Sequence, residues 1–413
     1  MDPLKAAARE AWIYGLPLIE MAAQRSAAAL RNGLNAFSHR RTLSGPKNRG
    51  VTAPNNDTLF SSAFLDLSRG PLLLKIPKAG ERYISVALMD MYTNNFAVLG
   101  TRTLRGEGGE ITIVGPHEVA SAGAIRSPTP WAWALCRTLV DGDADLPAAH
   151  AVQDSLDIRG LEAKTPVSHP SRHATWDQYF SAMQALLLEN LPPTLDRPLL
   201  HQIAPLGLGP GQRFQPSRFN GAQVDAIIDG VKEARRIVRT GFLQHVVKGW
   251  AYPGEALGDF GDEYLFRAAV ALTGLAALPR YEAMYMQAVD SEGSEILRDN
   301  GDCRLHFAAG AFPPAGAFWS ITMYEVTAEG QFFLTENPID RYSIGDRTPG
   351  LSFNDDGSLD IWIGSLDPGR HKRSNWLPAP AAGPHRISLR AYLPEPSLLS
   401  GAYRLPSLVR NPD

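Results

Sequence analysis

The spacing of apolar residues changes twice along this chain, from two to three or four and back to two, and that limits its architecture more than any other feature. From Leu59 to Val140, short runs rich in β-branched and aromatic residues (Leu59 to Leu67, Leu72 to Ile76, Arg82 to Met89, Phe96 to Gly100, Glu110 to Val114, Trp131 to Val140) are separated by Gly, Pro and Asn. A strand turns successive side chains to opposite faces, so these runs predict an antiparallel sandwich. The middle of the chain is helical in period. Trp176, Tyr179, Phe180, Met183 and Leu187 recur at three and four, as do Val224, Ile227, Ile228, Val231 and Ile237 behind a capping residue, Asn220. Tyr264 to Leu278 is apolar on most faces and predicts a buried helix. Beyond about Gly301 the strand pattern returns, in Arg304 to Phe307, Ala317 to Tyr324, Phe332 to Leu334, Leu359 to Ile363 and His385 to Tyr392. A second, jelly-roll-like sandwich is expected there, with Asn354-Asp355-Asp356-Gly357 as a hairpin turn.

At the start, Asp2 before Pro3 resembles a helix cap, with Leu4, Ala8, Ala11 and Trp12 along one side. Gly15 and Pro17 are expected to break that helix, since proline removes a donor and crowds the preceding turn. A second helix then runs from Leu18 to Leu30 and stops at Asn32-Gly33. Segments 44–56 and 205–216 are rich in Gly and Pro and read as loops, the latter a surface loop or lid. The expected fold class is multidomain α+β. It comprises a helical segment (1–44), an N-terminal immunoglobulin-like β-sandwich (45–142), a helical domain (143–298) and a C-terminal jelly-roll-like sandwich (299–413).

With 413 residues the chain is long for one core, and 44% apolar with 20% charged residues suits a folded protein with sizeable cores. The net charge of −3 leaves no excess positive field for a polyanion, so nucleic acid is not an expected partner. The basic clusters His39-Arg40-Arg41 and Arg370-His371-Lys372-Arg373 read as solvated turns. No apolar run reaches the roughly twenty residues that a membrane helix needs. The first residues, charged and amphipathic, read as no secretory signal, and the cytoplasm is the expected location. Cys136 and Cys303 stand in separate regions and in no CxxC pair, which predicts reduced thiols.

Polar side chains gather where strands end. Asn55, Asn56, Asp57 and Thr58 follow Pro54 in one short loop, and Asp57 is a candidate general base if desolvated. The alternative is an Asx-turn that satisfies its own backbone. Asp90, Tyr92, Thr93, Asn94 and Asn95 form a second cluster, with Arg102 nearby in sequence. Asp57, Asp90 and Tyr92 are the candidate catalytic residues, because sites need convergent groups. In the C-terminal part, Asp340-Arg341-Tyr342-Ser343 and Gly345-Asp346-Arg347 crowd one stretch. Arg341 is suited to hold a carboxylate or carbonyl through its fork, with Tyr342 beside it. The alternative is a loop pinned against the sheet. Trp319, Tyr324 and Trp376 are candidates for an aromatic wall, or for plain core.

No motif for a metal or cofactor stands out. His169 and His173 are four apart, yet Pro170 intervenes and no HExxH pattern exists. Gly207-Leu208-Gly209-Pro210-Gly211 lacks the ending of a phosphate loop, and there is no GxSxG elbow. Neither a metal nor a cofactor is expected.

Across nearly its whole length the chain resembles the bacterial family that joins domain of unknown function 1254 to domain of unknown function 1214. The resemblance rests on ProAsnAsnAspThrLeu (Pro54 to Leu59), LeuAspLeu (Leu65 to Leu67), MetAspMetTyrThrAsn (Met89 to Asn94), GlyThrArg (Gly100 to Arg102) and SerProThrProTrp (Ser127 to Trp131). It rests further on PheTrpSerIleThrMetTyr (Phe318 to Tyr324), the stretch Asn337 to Thr348, and SerAsnTrpLeuProAlaPro (Ser374 to Pro380). It implies an immunoglobulin-like domain, a helical domain and a jelly-roll-like domain, without fixing an activity. Two departures stand out: Phe60 replaces the tyrosine expected after AspThrLeu, and many relatives look exported whereas this chain starts without a signal. Both suggest a specialised intracellular member.

Two functions remain open on these residues. The first is an acid/base enzyme (hydrolysis, elimination, isomerisation or cyclisation) acting on a small, partly apolar molecule between the domains. The second is a non-catalytic protein that binds a glycan or metabolite. A small-molecule ligand is the expected partner in both, and a homodimer through sheet edges or faces is open.

Overall fold

The computed structural model describes residues 2–49, 52–239, 245–298, 302–328 and 330–410. Its N-terminal strands are β1 (Ser38–His39), β2 (Thr58–Asp66), β3 (Leu72–Ile76), β4 (Ile84–Asp90), β5 (Asn95–Gly100), β6 (Gly109–Val114), β7 (Ile125–Arg126), β8 (Trp131–Leu139) and β9 (Asp157–Arg159). They form a five-stranded sheet, β1-β2-β8-β4-β5, packed on a four-stranded sheet, β7-β6-β3-β9. The period of two explains the layering. Ala63, Leu65, Ile84, Val86, Leu88, Ala132, Ala134 and Cys136 enter the core between the two sheets. Their neighbours Phe64, Ala87, Met89, Trp131, Trp133 and Leu135 face the other way, onto helices. A sheet covered on both faces reads as nearly continuous apolar sequence, as β8 does.

The helices are α1 (Pro3–Ala29), α2 (Thr101–Leu104), α3 (Leu146–Asp154), α4 (Trp176–Glu189), α5 (Arg197–Ile203), α6 (Gly221–Val238), α7 (Tyr264–Thr273) and α8 (Pro396–Ser400). Asp2 and Asn220 cap α1 and α6 as expected, each side chain accepting from backbone N–H groups of the first turn. One expectation is overturned at once. Gly15 and Pro17 do not divide the first helix, which runs unbroken with Leu16, Leu18, Ile19 and Met21 buried. Packing outweighs the roughly 3 kcal/mol that an internal proline costs. Gly15 is there for a close approach instead: a Cβ would sit 2.7 Å from Met183 Sδ of α4. Beside it, the Tyr179 hydroxyl donates to the Trp12 carbonyl at 2.8 Å.

Two other expectations change. The buried helix at Tyr264 stops at Thr273, where Gly274 follows, and does not reach Leu278. Segment 205–216 is fastened and does not have the freedom of a lid. The buried Gln184 side chain bonds Gly209 O, Gln212 O and Gly209 N at 2.8–3.0 Å.

The C-terminal strands are β10 (His245–Val247), β11 (Trp250–Tyr252), β12 (Ala283–Ala288), β13 (Cys303–Phe307), β14 (Ala315–Val326), β15 (Phe332–Leu334), β16 (Ser343–Gly345), β17 (Leu359–Gly364), β18 (Trp376–Pro378), β19 (His385–Pro394) and β20 (Leu408–Arg410). A seven-stranded sheet, β10-β11-β12-β19-β14-β15 with β16 also on β14, packs on the four-stranded sheet β18-β17-β13-β20. The larger sheet therefore reaches back to residue 245, across the division expected at 298/299, and residues 299–301 lie outside those described. Gly357 makes the expected tight turn, its N–H bonding Asn354 O at 2.8 Å. No strand lies between β16 and this turn, so it leads into β17 and does not close a hairpin. Among the described residues no helix is long and apolar enough to cross a membrane.

Candidate functional site

Strand β14 decides where the site lies. Trp319, Ile321 and Met323 point into the core between the C-terminal sheets. Phe318, Ser320, Thr322 and Tyr324 therefore share the opposite face, which meets the N-terminal half. Strand β19 alternates in step: Ile387, Leu389 and Ala391 are core, while Arg386, Ser388, Arg390 and Tyr392 lie on the face of Ser320. A sheet face this polar is unusual for one buried, and buried polar groups demand partners.

The loop entering β2 supplies them. Asp57 Oδ2 accepts from the Ser320 hydroxyl at 2.8 Å, across 263 residues of sequence. Tyr324 donates to Pro54 O at 2.8 Å and accepts from Arg390 at 2.6 Å. Arg390 also donates to Thr322 Oγ1 (2.9 Å) and Ala53 O (3.1 Å). Arg347 follows β16, donates to Val140 O and Asp141, and lies over the Phe318 ring. Asp57 is 6% exposed. Burial pushes its carboxyl up, against the Ser320 bond and the positive charges of Arg390 and Arg347. Asp346, exposed to solvent, follows β16 at the edge of this seam, with Oδ1 accepting from Trp319 N. Enough protein surrounds its carboxyl to push it up to about 6, and nearby Asp57 adds to the rise.

The other expected residues fall in several places. Asn55 builds the Asx-turn that the alternative reading describes, accepting from Asp57 N, Thr58 N and Thr58 Oγ1 at 2.9–3.1 Å. Asn56 ties the loop to Ser44 O. Arg102 pairs with buried Glu282 at 2.8 Å, which also accepts from Tyr83 at 2.9 Å. Asn95 donates to Gly258 O and Ala277 O. In the C-terminal half Arg341 donates to Arg373 O, Ser374 O and Trp376 O at 2.8–3.1 Å, so it pins a loop through carbonyls. Trp376 is 1% exposed and donates to Gly364 O. Trp319 is core, packed on Phe307. Tyr342 bonds Asp340.

Asp90 and Tyr92 belong to a different cluster, against the helices. Asp90 Oδ1 accepts from Tyr92 N and Asn94 N at 2.9 Å, closing its own turn. Tyr92 donates to Asn190 O at 2.7 Å. The guanidinium of Arg267, 1% exposed, lies 5.1–5.5 Å from the ring centroids of Tyr14, Tyr92 and Tyr264. Tyr14 and Tyr264 both donate to buried Asp196. Burial pushes the Asp90 carboxyl up to about 6. The folded chain thus holds this proton more tightly than the unfolded chain does, and stability falls as pH rises from about 4 to 6. Asp90→Asn should gain on the parent by up to about 3 kcal/mol between pH 4 and 7.5 in urea unfolding. An unchanged difference between the two proteins would contradict the shift.

Two surface cavities are lined by other residues. One, of about 410 Å³, is lined by His169, Pro170, Asp177, Gln178, Ser181 and Ala182. The other, of about 350 Å³, is lined by Pro46, Lys47, Arg49, Glu325, Thr335 and Glu336. Among the described residues no group of three or more His, Cys, Asp or Glu could hold a metal ion.

Sequence reading missed Ser320, Arg390 and Tyr392. The alternation within PheTrpSerIleThrMetTyr was the available signal, since Trp319 and Tyr324 occupy opposite faces of one strand.

The chain is similar over 99% of its length to the whole of a solved Vibrio parahaemolyticus protein, VPA0106, with 23% identity and a TM-score of 0.71, a likeness of fold. A solved uncharacterized protein from Burkholderia cenocepacia aligns more loosely (95% of this chain, 91% of that one, 13% identity, TM-score 0.46). No curated protein matches. The model for protein of unknown function DUF1254 matches residues 34–160, and that for protein of unknown function DUF1214 matches residues 282–396. The first match covers the loop of Asp57 and the second covers Ser320, Asp346 and Arg390, so the chain belongs to the two-part family that joins DUF1254 to DUF1214.

Proposed function

We propose that this chain is an acid/base enzyme that works without a redox cofactor on a small, partly apolar organic molecule where its two halves meet. The observation that supports this is that two carboxylates from opposite halves meet adjacent residues of β14, Asp57 at Ser320 and Asp346 at Trp319 N, beside Arg347 and Arg390. A carboxyl that titrates near 6 both gives and takes protons close to neutral pH. Asp346, the solvent-exposed carboxylate of the two, is the group that exchanges a proton with substrate. Asp57 behind it keeps that proton bound, and the arginines stabilise negative charge that develops on the substrate. Hydrolysis, elimination, isomerisation and cyclisation all use such a step. The paired sheets of each half are read as immunoglobulin-like and jelly-roll-like scaffolds for this site.

The test is a metabolite library incubated with the protein and followed by mass spectrometry. A ligand whose mass or isomeric form changes with the parent should be turned over roughly 10²-fold more slowly by Asp57→Asn and by Asp346→Asn. Asp57→Asn should melt no lower than the parent at pH 7.5, because an amide still accepts from Ser320. Normal turnover in both variants would end the proposal. A non-catalytic binding protein is the second reading, favoured by two surface cavities whose linings include neither Asp57 nor Asp346. It would show retention of an unchanged ligand.

A further inference from the structure

The 350 Å³ cavity at the outer edge of the seam carries charge of both signs on walls from opposite halves of the chain. Pro46, Lys47 and Arg49 come from the loop before β2, and Glu325, Thr335 and Glu336 from β14 and the end of β15. Arg49 and Glu325 use each other, in an ion pair of 2.6 Å with the Arg49 guanidinium over the Phe333 ring. That leaves one ammonium, Lys47, and one carboxylate, Glu336, facing the same space with no ion partner among the described residues. Both are thus available to a ligand, and the volume lies within the range of small-molecule sites.

The geometry points to a binding site for a small zwitterion, an amino acid or dipeptide, whose carboxylate meets Lys47 and whose ammonium meets Glu336. A molecule with one charge alone would leave one wall unmatched and meet repulsion from the other. An ammonium and a carboxylate held apart answer both walls at once, and a wrong charge pattern is rejected by the same groups. This site is distinct from the proton-transfer site at Asp57, and its failure would leave that reading untouched.

The test is calorimetric titration of the full chain with glycine, L-alanine, L-leucine, L-phenylalanine, L-glutamate and their glycyl dipeptides. Each compound that binds is repeated in N-acetylated and C-amidated form. The expected result is that at least one zwitterion binds and that capping either end weakens it at least about tenfold. Lys47→Ala should then bind the free and amidated forms alike, and Glu336→Ala the free and acetylated forms alike. Asp57→Asn should bind as the parent does. The proposal is overturned if no member of the panel binds, if capping makes no difference, or if both wall variants bind and discriminate as the parent does.

Discussion

Replacing Arg390 by alanine should lower the stability of the chain by about 3–5 kcal/mol, read by urea unfolding at pH 7.5. The guanidinium is 4% exposed and holds Thr322, Tyr324 and the Ala53 carbonyl together. It is also a positive charge that opposes the burial of Asp57. Removing it leaves a carboxylate in low dielectric with one cation fewer, together with two hydroxyls and a carbonyl short of a donor. The pH dependence carries a sign. The loss should grow as pH rises through the raised range of Asp57, since only the charged form is abandoned. At low pH, where Asp57 holds its proton, the cost should shrink to that of the lost hydrogen bonds and packing. Combining Arg390→Ala with Asp57→Asn should cost less than the sum of the two, because the second change removes the stranded charge. Additive losses would mean that the two groups do not share an environment.

Gly345→Ala should be the most damaging single methyl group in the C-terminal half. A Cβ at this position would lie 2.1 Å from the Trp319 carbonyl oxygen, which is backbone and has little room to yield. The short strand β16 pairs with β14 at Ser320↔Gly345, so β16 must slide away from the strand that carries the site. At least about 2 kcal/mol of stability should be lost. Asp346, the next residue, should lose its bond from Trp319 N and with it part of the burial that raises its carboxyl. Both effects are measurable on one protein, by urea unfolding and by the pH profile of whatever activity the library identifies. A variant as stable as the parent would show that β16 is not held where described.

How much of this was legible in the residues can be argued strand by strand. Period two placed β2, β4, β8, β14 and β19, because a sheet buried on one or both faces writes its geometry into every second position. Asn220 announced α6 because a side-chain cap is a local interaction. The course of α1 through Pro17 was not legible, since its stability comes from Met183, Tyr179 and other partners far away in sequence. The same distinction runs through the site. Asp57 stood out as an acid in a polar loop, and Asn55 showed how that loop is built. That Asp57 meets Ser320 depends on two halves of the chain docking, and no local pattern carries that. Arg341 and Trp376 attracted notice for their chemistry, yet the arginine spends its donors on backbone, the Trp376 carbonyl among them, and the indole donates to Gly364 O. Asp90 and Tyr92 are as polar as Asp57 but belong to the helical side, with Arg267 and Asp196.

The most direct check on the meeting of the two halves is a double-mutant cycle on Asp57→Ala and Ser320→Ala, read by urea unfolding at pH 7.5. A hydrogen bond of 2.8 Å from a hydroxyl to a buried carboxylate should give a coupling of at least about 1 kcal/mol between residues 263 apart in sequence. Strictly additive losses would place the two side chains out of contact and remove the seam on which the acid/base reading stands.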